Sequence, residues 1–70
     1  MERKNVNSST IRSVAYEANS QTLEIEFTSG SIYRYSRVSP EIHRKLMAAP
    51  TIGSFFKDNI EEEFTAKRIR

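Results

Sequence analysis

The clearest pattern in the chain is Thr22-Leu23-Glu24-Ile25-Glu26-Phe27-Thr28, in which apolar Leu23, Ile25 and Phe27 alternate strictly with polar neighbours. Successive side chains of a strand point to opposite faces, so this segment predicts a half-buried antiparallel strand with Glu24 and Glu26 on its polar side. Upstream, Ile11-Arg12-Ser13-Val14-Ala15-Tyr16-Glu17 predicts another strand whose alternation is imperfect, with Val14 and Tyr16 sharing a face. Ala18-Asn19-Ser20-Gln21 supplies the turn between them, and a hairpin closed there sets Tyr16 opposite Leu23 and Val14 opposite Ile25. Thr28-Ser29-Gly30 suits a three-residue loop in which glycine, in the left-handed conformation, completes a type I turn. Phe27 then pairs with Ser31, Tyr33 with Ile25 and Tyr35 with Leu23, placing both tyrosines on the apolar face and Arg34 on the other. A two-residue Ser29-Gly30 loop would instead turn Ile32 inward and bury Arg34 unpaired, which is costly, so the first register is expected.

Helical signals begin at Ser39-Pro40-Glu41: serine caps a free amide, proline suits the first helical position, and glutamate favours the positive end of the helix dipole. This helix should run to about Ala49, with Ile42, Leu46 and Ala49 on its apolar stripe, Arg44 and Lys45 away from it, and Pro50 as the stop. A second helix follows, capped by Thr51 or Ser54. It carries Ile52, Phe55, Phe56, Ile60 and Phe64 at helical spacing, its regular part ending at Asn59 ahead of Glu61-Glu62-Glu63. The expected fold is thus α+β: a three-stranded antiparallel sheet followed by two helices packed on one face. Residues 1–9 read as a polar lead-in, 10–64 as the single domain and 65–70 as a basic tail.

Composition narrows the chemistry. At 70 residues the core is small and each large apolar residue matters. Cysteine is absent and the amino terminus is charged and polar, which excludes disulfides and thiolate metal sites and points to a cytoplasmic protein without a signal peptide or membrane span. Eleven Lys and Arg against nine Asp and Glu give +2, too slight a bias to diagnose nucleic-acid binding by itself. Basic residues nevertheless gather at Arg3-Lys4, at Arg34, Arg37, Arg44 and Lys45, and at Lys67-Arg68-Ile69-Arg70.

Several pieces occur in a distinctive order: Val6-Asn7-Ser8-Ser9-Thr10-Ile11, Val14-Ala15-Tyr16-Glu17, the strict strand, Gly30, Tyr33-Arg34-Tyr35, Val38-Ser39-Pro40, Ile52-Gly53-Ser54-Phe55-Phe56 and Ile60. From about Val6 to Ile60 this series resembles the KTSC domain, a short module found at the carboxyl end of some lysyl-tRNA synthetases and as a stand-alone bacterial protein. Its signature is Tyr-x-Tyr, here Tyr33 and Tyr35. Members often carry Gly-Tyr-Asp where this chain has Ala15-Tyr16-Glu17, so a close approach that needs glycine is not expected there. The resemblance implies a domain of unestablished function for which RNA binding has been raised by its attachment to a synthetase.

Catalytic constellations are missing. His43, the only histidine, adjoins Arg44 and has no evident partners for a triad or a metal, so it reads as a helix-surface or boundary residue. Glu61, Glu62 and Glu63 point in different directions and read as a solvated charge run. With two glycines, Gly30 and Gly53, no phosphate-cradling loop can form, and the serines occupy capping and turn contexts. No catalytic residue, metal, cofactor or small-molecule substrate is therefore expected. Tyr33 and Tyr35 could stack bases only if they faced outward, whereas the favoured register makes them core residues with polar tips. The expected function is a non-catalytic binding module in which Arg34, Arg37, Arg44, Lys45, Lys67 and Arg68 contact phosphates of structured, tRNA-like RNA. The alternative is a protein-interaction module using the exposed sheet face or an open strand edge.

Overall fold

Leu23, Ile25 and Phe27 lie on the central strand of the sheet in the computed structural model, which describes residues 2–70. Met1, the first residue of the expected lead-in, lies outside them. The order along the chain is β1 (Glu2–Asn5), β2 (Ile11–Glu17), β3 (Thr22–Phe27), β4 (Ile32–Tyr35), α1 (Pro40–Ala48), α2 (Ile52–Asn59) and β5 (Ala66–Arg68). The strands form one antiparallel sheet in the order β1-β2-β3-β4-β5, with both helices against the face that carries Leu23 and Ile25.

The sheet therefore has five strands rather than three. Parts of the expected lead-in and tail are its edges. Periodicity could not reveal them, because Glu2-Arg3-Lys4-Asn5 and Ala66-Lys67-Arg68 are exposed throughout and carry no apolar face. Backbone pairing holds them, β1 lying against β2 and β5 against β4.

The inner hairpins take the expected registers. Tyr16 pairs with Leu23, Val14 with Ile25, Ile25 with Tyr33 and Leu23 with Tyr35. Gly30 has φ +98°, a conformation that glycine adopts without a Cβ clash, and its amide donates to the Phe27 carbonyl at 2.9 Å. The imperfect alternation of β2 is a bulge: between the Ile11–Phe27 and Ser13–Glu26 pairs one extra residue, Arg12, enters the strand. That extra residue returns both Ile11 and Val14 to the helix side, where both are buried.

α1 starts as its sequence dictates, the Ile42 amide donating to Ser39 Oγ at 3.3 Å. α2 departs from expectation, because Thr51 holds the N-cap position with no side-chain cap bond. Leu46 from α1 and Phe56 from α2 enter the core of Ile11, Val14, Leu23, Ile25, Tyr35, Val38 and Ile60. Phe56 packs edge-to-face on Phe27 at 5.6 Å and on Tyr35 at 5.4 Å. Among the described residues, no helix is long and apolar enough to cross a membrane.

Burial of Tyr35, helped by the charges of Glu61 and Tyr33, pushes its phenol from 10.0 up to about 12. In the unfolded chain it ionises near the ordinary value. The stability contributed by neutral Tyr35 is thus complete below about pH 10 and lost as pH rises towards 12. Tyr35→Phe should move alkaline unfolding, followed by circular dichroism, to higher pH. An unchanged alkaline profile would rule out this coupling.

Candidate nucleic-acid interface

One row of residues crosses the whole sheet on the face opposite the helices. Arg3 in β1 pairs with Ala15 in β2, Ala15 with Glu24 in β3, Glu24 with Arg34 in β4 and Arg34 with Lys67 in β5. These positions share a face because each register keeps the pleat in phase from strand to strand. Glu24, at the centre, is only 8% exposed. Its Oε2 accepts from Arg34 Nη2 at 2.8 Å and Nε at 3.3 Å, while its Oε1 accepts from Arg3 Nη2. Burial by itself raises the Glu24 pKa, but the two guanidinium groups outweigh that and hold the carboxyl below its ordinary value. Arg3 Nη1 also donates to Ser13 Oγ at 3.0 Å, and that hydroxyl donates to Glu26 Oε1 at 2.7 Å. The face opposite the helices thus has a carboxylate-centred network between two arginines, continued outward by Lys67. Its middle is not the exposed sheet face expected from the sequence, since Ser13, Ala15, Glu24 and Ile32 are buried there.

The six basic residues marked by the sequence do not converge on one surface. Arg34, Lys67 and Arg68 share the β4–β5 edge, Arg68 lying opposite Tyr33 and hence on the helix side of β5. Arg37 is exposed in the turn after β4 with φ +64°, a conformation that favours glycine. Arg44 and Lys45 are on α1, away from the β4–β5 edge, and Arg44 lines a cavity together with Glu2 and Lys4 of β1 at the other end of the sheet. Strands are spaced about 4.8 Å apart, so four intervals set β1 and β5 roughly 19 Å apart along the sheet.

Ion pairing separates these groups further. Arg3 and Arg34 meet Glu24, and Arg44 and Lys45 approach Glu41 at 3.9 and 3.8 Å in exposed, weakly held pairs. Among the described residues Lys67, Arg68 and Arg70 have no Asp or Glu carboxylate in ion-pair range, while Arg68 Nε donates to the Arg70 backbone oxygen at 3.2 Å. Arg70 was not among the sequence candidates, yet its backbone pairs with Ile32 and continues the β5 edge. The signal for it was its place two residues after Arg68 in a basic run. Arg3 was also passed over, because only the β1–β2 register brings it to Glu24.

The tyrosines of the Tyr-x-Tyr signature face the helices. Tyr35 is buried, and Tyr33 is half-buried with its ring edge-to-face on Phe27 at 5.8 Å. His43 sits at the boundary of the core, its ring stacked on Tyr16 at 4.4 Å. Burial, with the nearby charge of Lys4, holds its pKa below the ordinary histidine value. Among the described residues no three His, Cys, Asp or Glu side chains converge on a point where a metal could bind.

Comparison with known proteins adds three kinds of relative. The model of the KTSC domain matches residues 7–64. A protein of Stutzerimonas stutzeri (strain A1501), described as uncharacterized, is 43% identical over 56 residues, which are 80% of this chain and 79% of that protein. A lysine–tRNA ligase of Nostoc punctiforme is 39% identical over 61 residues, 87% of this chain but 11% of the ligase. The crystal structure of a KTSC domain protein from Yersinia pestis matches with a TM-score of 0.95 at 33% identity, over 99% of this chain and 97% of that one. The family model thus stops short of β1 and β5, while the structural match extends over them.

Proposed function

The chain belongs to the KTSC domain family, and from that premise we propose that it is a non-catalytic cytoplasmic module that holds the phosphate backbone of structured, tRNA-like RNA. The observation that carries this reading is the cationic β5 edge, where Lys67 stands beside Arg34 and Arg68 and Arg70 follow along the same strand, none of the three paired with an Asp or Glu. Relatives named lysine–tRNA ligase contain a segment like this chain, which supports transfer RNA as the nucleic acid to test first. Phosphate contacts of this kind position a domain without reading sequence. Arg37 extends the surface past the end of β4, whereas Arg44 and Lys45 fall outside it.

The test is an NMR titration of labelled protein with mixed transfer RNA, at low and then near-physiological salt. Amide shifts should concentrate at Arg34, Arg37, Lys67, Arg68 and Arg70 and fade as salt rises. Each phosphate contact contributes roughly 0.7–0.9 to the slope of log affinity against log salt, so the combined variant Lys67→Gln, Arg68→Gln, Arg70→Gln should lower that slope by about 2. Lys45→Gln should leave binding within about twofold, since rim charges away from a contact act weakly. Absence of shifts at low salt would remove the RNA reading. The free backbone edges of β1 and β5 would then favour the protein-interaction reading, in which a partner strand extends the sheet and binding resists salt.

A further inference from the structure

At the end of the sheet away from β5, a cavity of about 470 Å³ opens between β1 and α1. Its inner surface is apolar, made by buried Val14 with half-buried Met47 from α1, and exposed Ala48 stands at its mouth. The rings of Tyr16 and His43, stacked with an interplanar angle of 8°, add a flat aromatic wall. The rim is charged: Lys4 lies opposite Val14 and Glu2 opposite Tyr16 in the β1–β2 register, and Arg44 comes from the helix. Lys4 has no carboxylate in ion-pair range among the described residues, and Arg44 has only its exposed 3.9 Å approach to Glu41. Two cations thus flank an apolar floor at a single mouth, with one carboxylate beside them.

That lining makes three demands on an occupant. The floor and the ring wall call for a flat, largely apolar body; Lys4 and Arg44 call for an anion; Glu2, an acceptor, calls for hydroxyl or amino donors. A simple aromatic acid meets the first two and leaves Glu2 facing its negative charge. A nucleoside monophosphate meets all three. We propose that this groove binds a nucleoside monophosphate, with the base against Val14, Met47 and the Tyr16–His43 wall, the phosphate between Lys4 and Arg44, and sugar hydroxyls donating to Glu2. The site is independent of the RNA reading, because it uses none of the β5 cations. It also departs from the expectation that no small molecule is bound, since its residues are scattered from Glu2 to Ala48 and meet only when α1 lies over β1 and β2.

The test is an NMR titration of labelled protein with adenosine 5′-monophosphate, and separately with adenosine and with inorganic phosphate. The monophosphate should shift the amides of Lys4, Val14, Tyr16 and Met47 and bind more tightly than either fragment. Lys4→Gln and Arg44→Gln should each weaken it about tenfold, the lower end of the scale of one charge-assisted hydrogen bond, since both side chains are exposed. Both residues are exposed, so unchanged shifts for buried Leu23 and Ile25 will show that the fold is kept. Ala48→Phe, which puts a ring into the mouth of the cavity without altering charge, should weaken binding. Silence of these amides at millimolar ligand would overturn the proposal, as would shifts moved to the β5 edge, equal shifts from phosphate alone, or binding unchanged by Lys4→Gln, Arg44→Gln and Ala48→Phe alike.

Discussion

Replacing Phe56 with alanine should leave a large fraction of the protein, up to about half, unfolded at room temperature. Phe56 is 3% exposed and is the one residue of α2 that is fully buried, so it is the bolt that fixes this helix to the sheet. Its ring meets Phe27 on β3 and Tyr35 on β4 edge-to-face, and truncation would open a cavity between the two layers. Such phenylalanine truncations cost about 3–5 kcal/mol. At 0.05–0.15 kcal/mol per residue the whole domain is worth only about 4–10 kcal/mol, and a chain this short lies towards the lower end. No disulfide offsets the loss. Urea denaturation followed by circular dichroism should show a midpoint near zero denaturant for Phe56→Ala. Half-buried Phe55, by contrast, should cost about 1–2 kcal/mol on truncation, in proportion to the smaller area it hides. A loss below about 1 kcal/mol for Phe56→Ala would mean that α2 is held by something other than this aromatic contact.

The second large effect concerns Glu24. Glu24→Ala removes the carboxylate that joins β1 to β4 through Arg3 and Arg34. Because both arginines remain partly in water, the loss should be about 1–2 kcal/mol rather than that of a fully buried pair. Amide hydrogen exchange in β1 should rise with it, since an exposed four-residue edge strand has few other side-chain contacts.

The depressed pKa of Glu24 gives this contribution a sign in pH. The folded state holds the charged form more strongly than the unfolded state does. The stabilisation is therefore complete above the ordinary carboxylate pKa and lost as pH falls through the depressed value. Thermal melts of the native protein and of Glu24→Gln should differ most near neutral pH and converge in acid; curves that stay parallel to the acid limit would show that the pair contributes nothing. The same substitution bears on function. Removing the negative charge beside Arg34 should strengthen transfer RNA binding if the β4–β5 surface touches phosphate, and leave it unaltered if it does not.

Much of this architecture was present in local patterns. Leu23, Ile25 and Phe27 declare a strand because a period of two puts them on one face. Gly30 fixes the register of β3 and β4 because the turn needs a residue of positive φ. Ser39 and Pro40 start α1 because the free amides and the fixed φ at a helix start suit them. From these followed the inward tyrosines, the outward Arg34 and the helices on one face.

What lay beyond sequence reading depends on partners remote in the chain. β1 and β5 exist because β2 and β4 offer them backbone hydrogen bonds, and those bonds leave no trace in side-chain hydrophobicity. The bulge at Arg12 appears only when β2 is laid against β3. Tertiary structure alone divided the basic residues, sending Lys67 and Arg68 to one end of the sheet and Arg44 to the other, and it gave Arg3 and Arg34 a common carboxylate. Periodicity records which face a residue presents, because burial acts on each position separately. Which charges meet is set by strand order and helix placement, and those are properties of the assembled sheet.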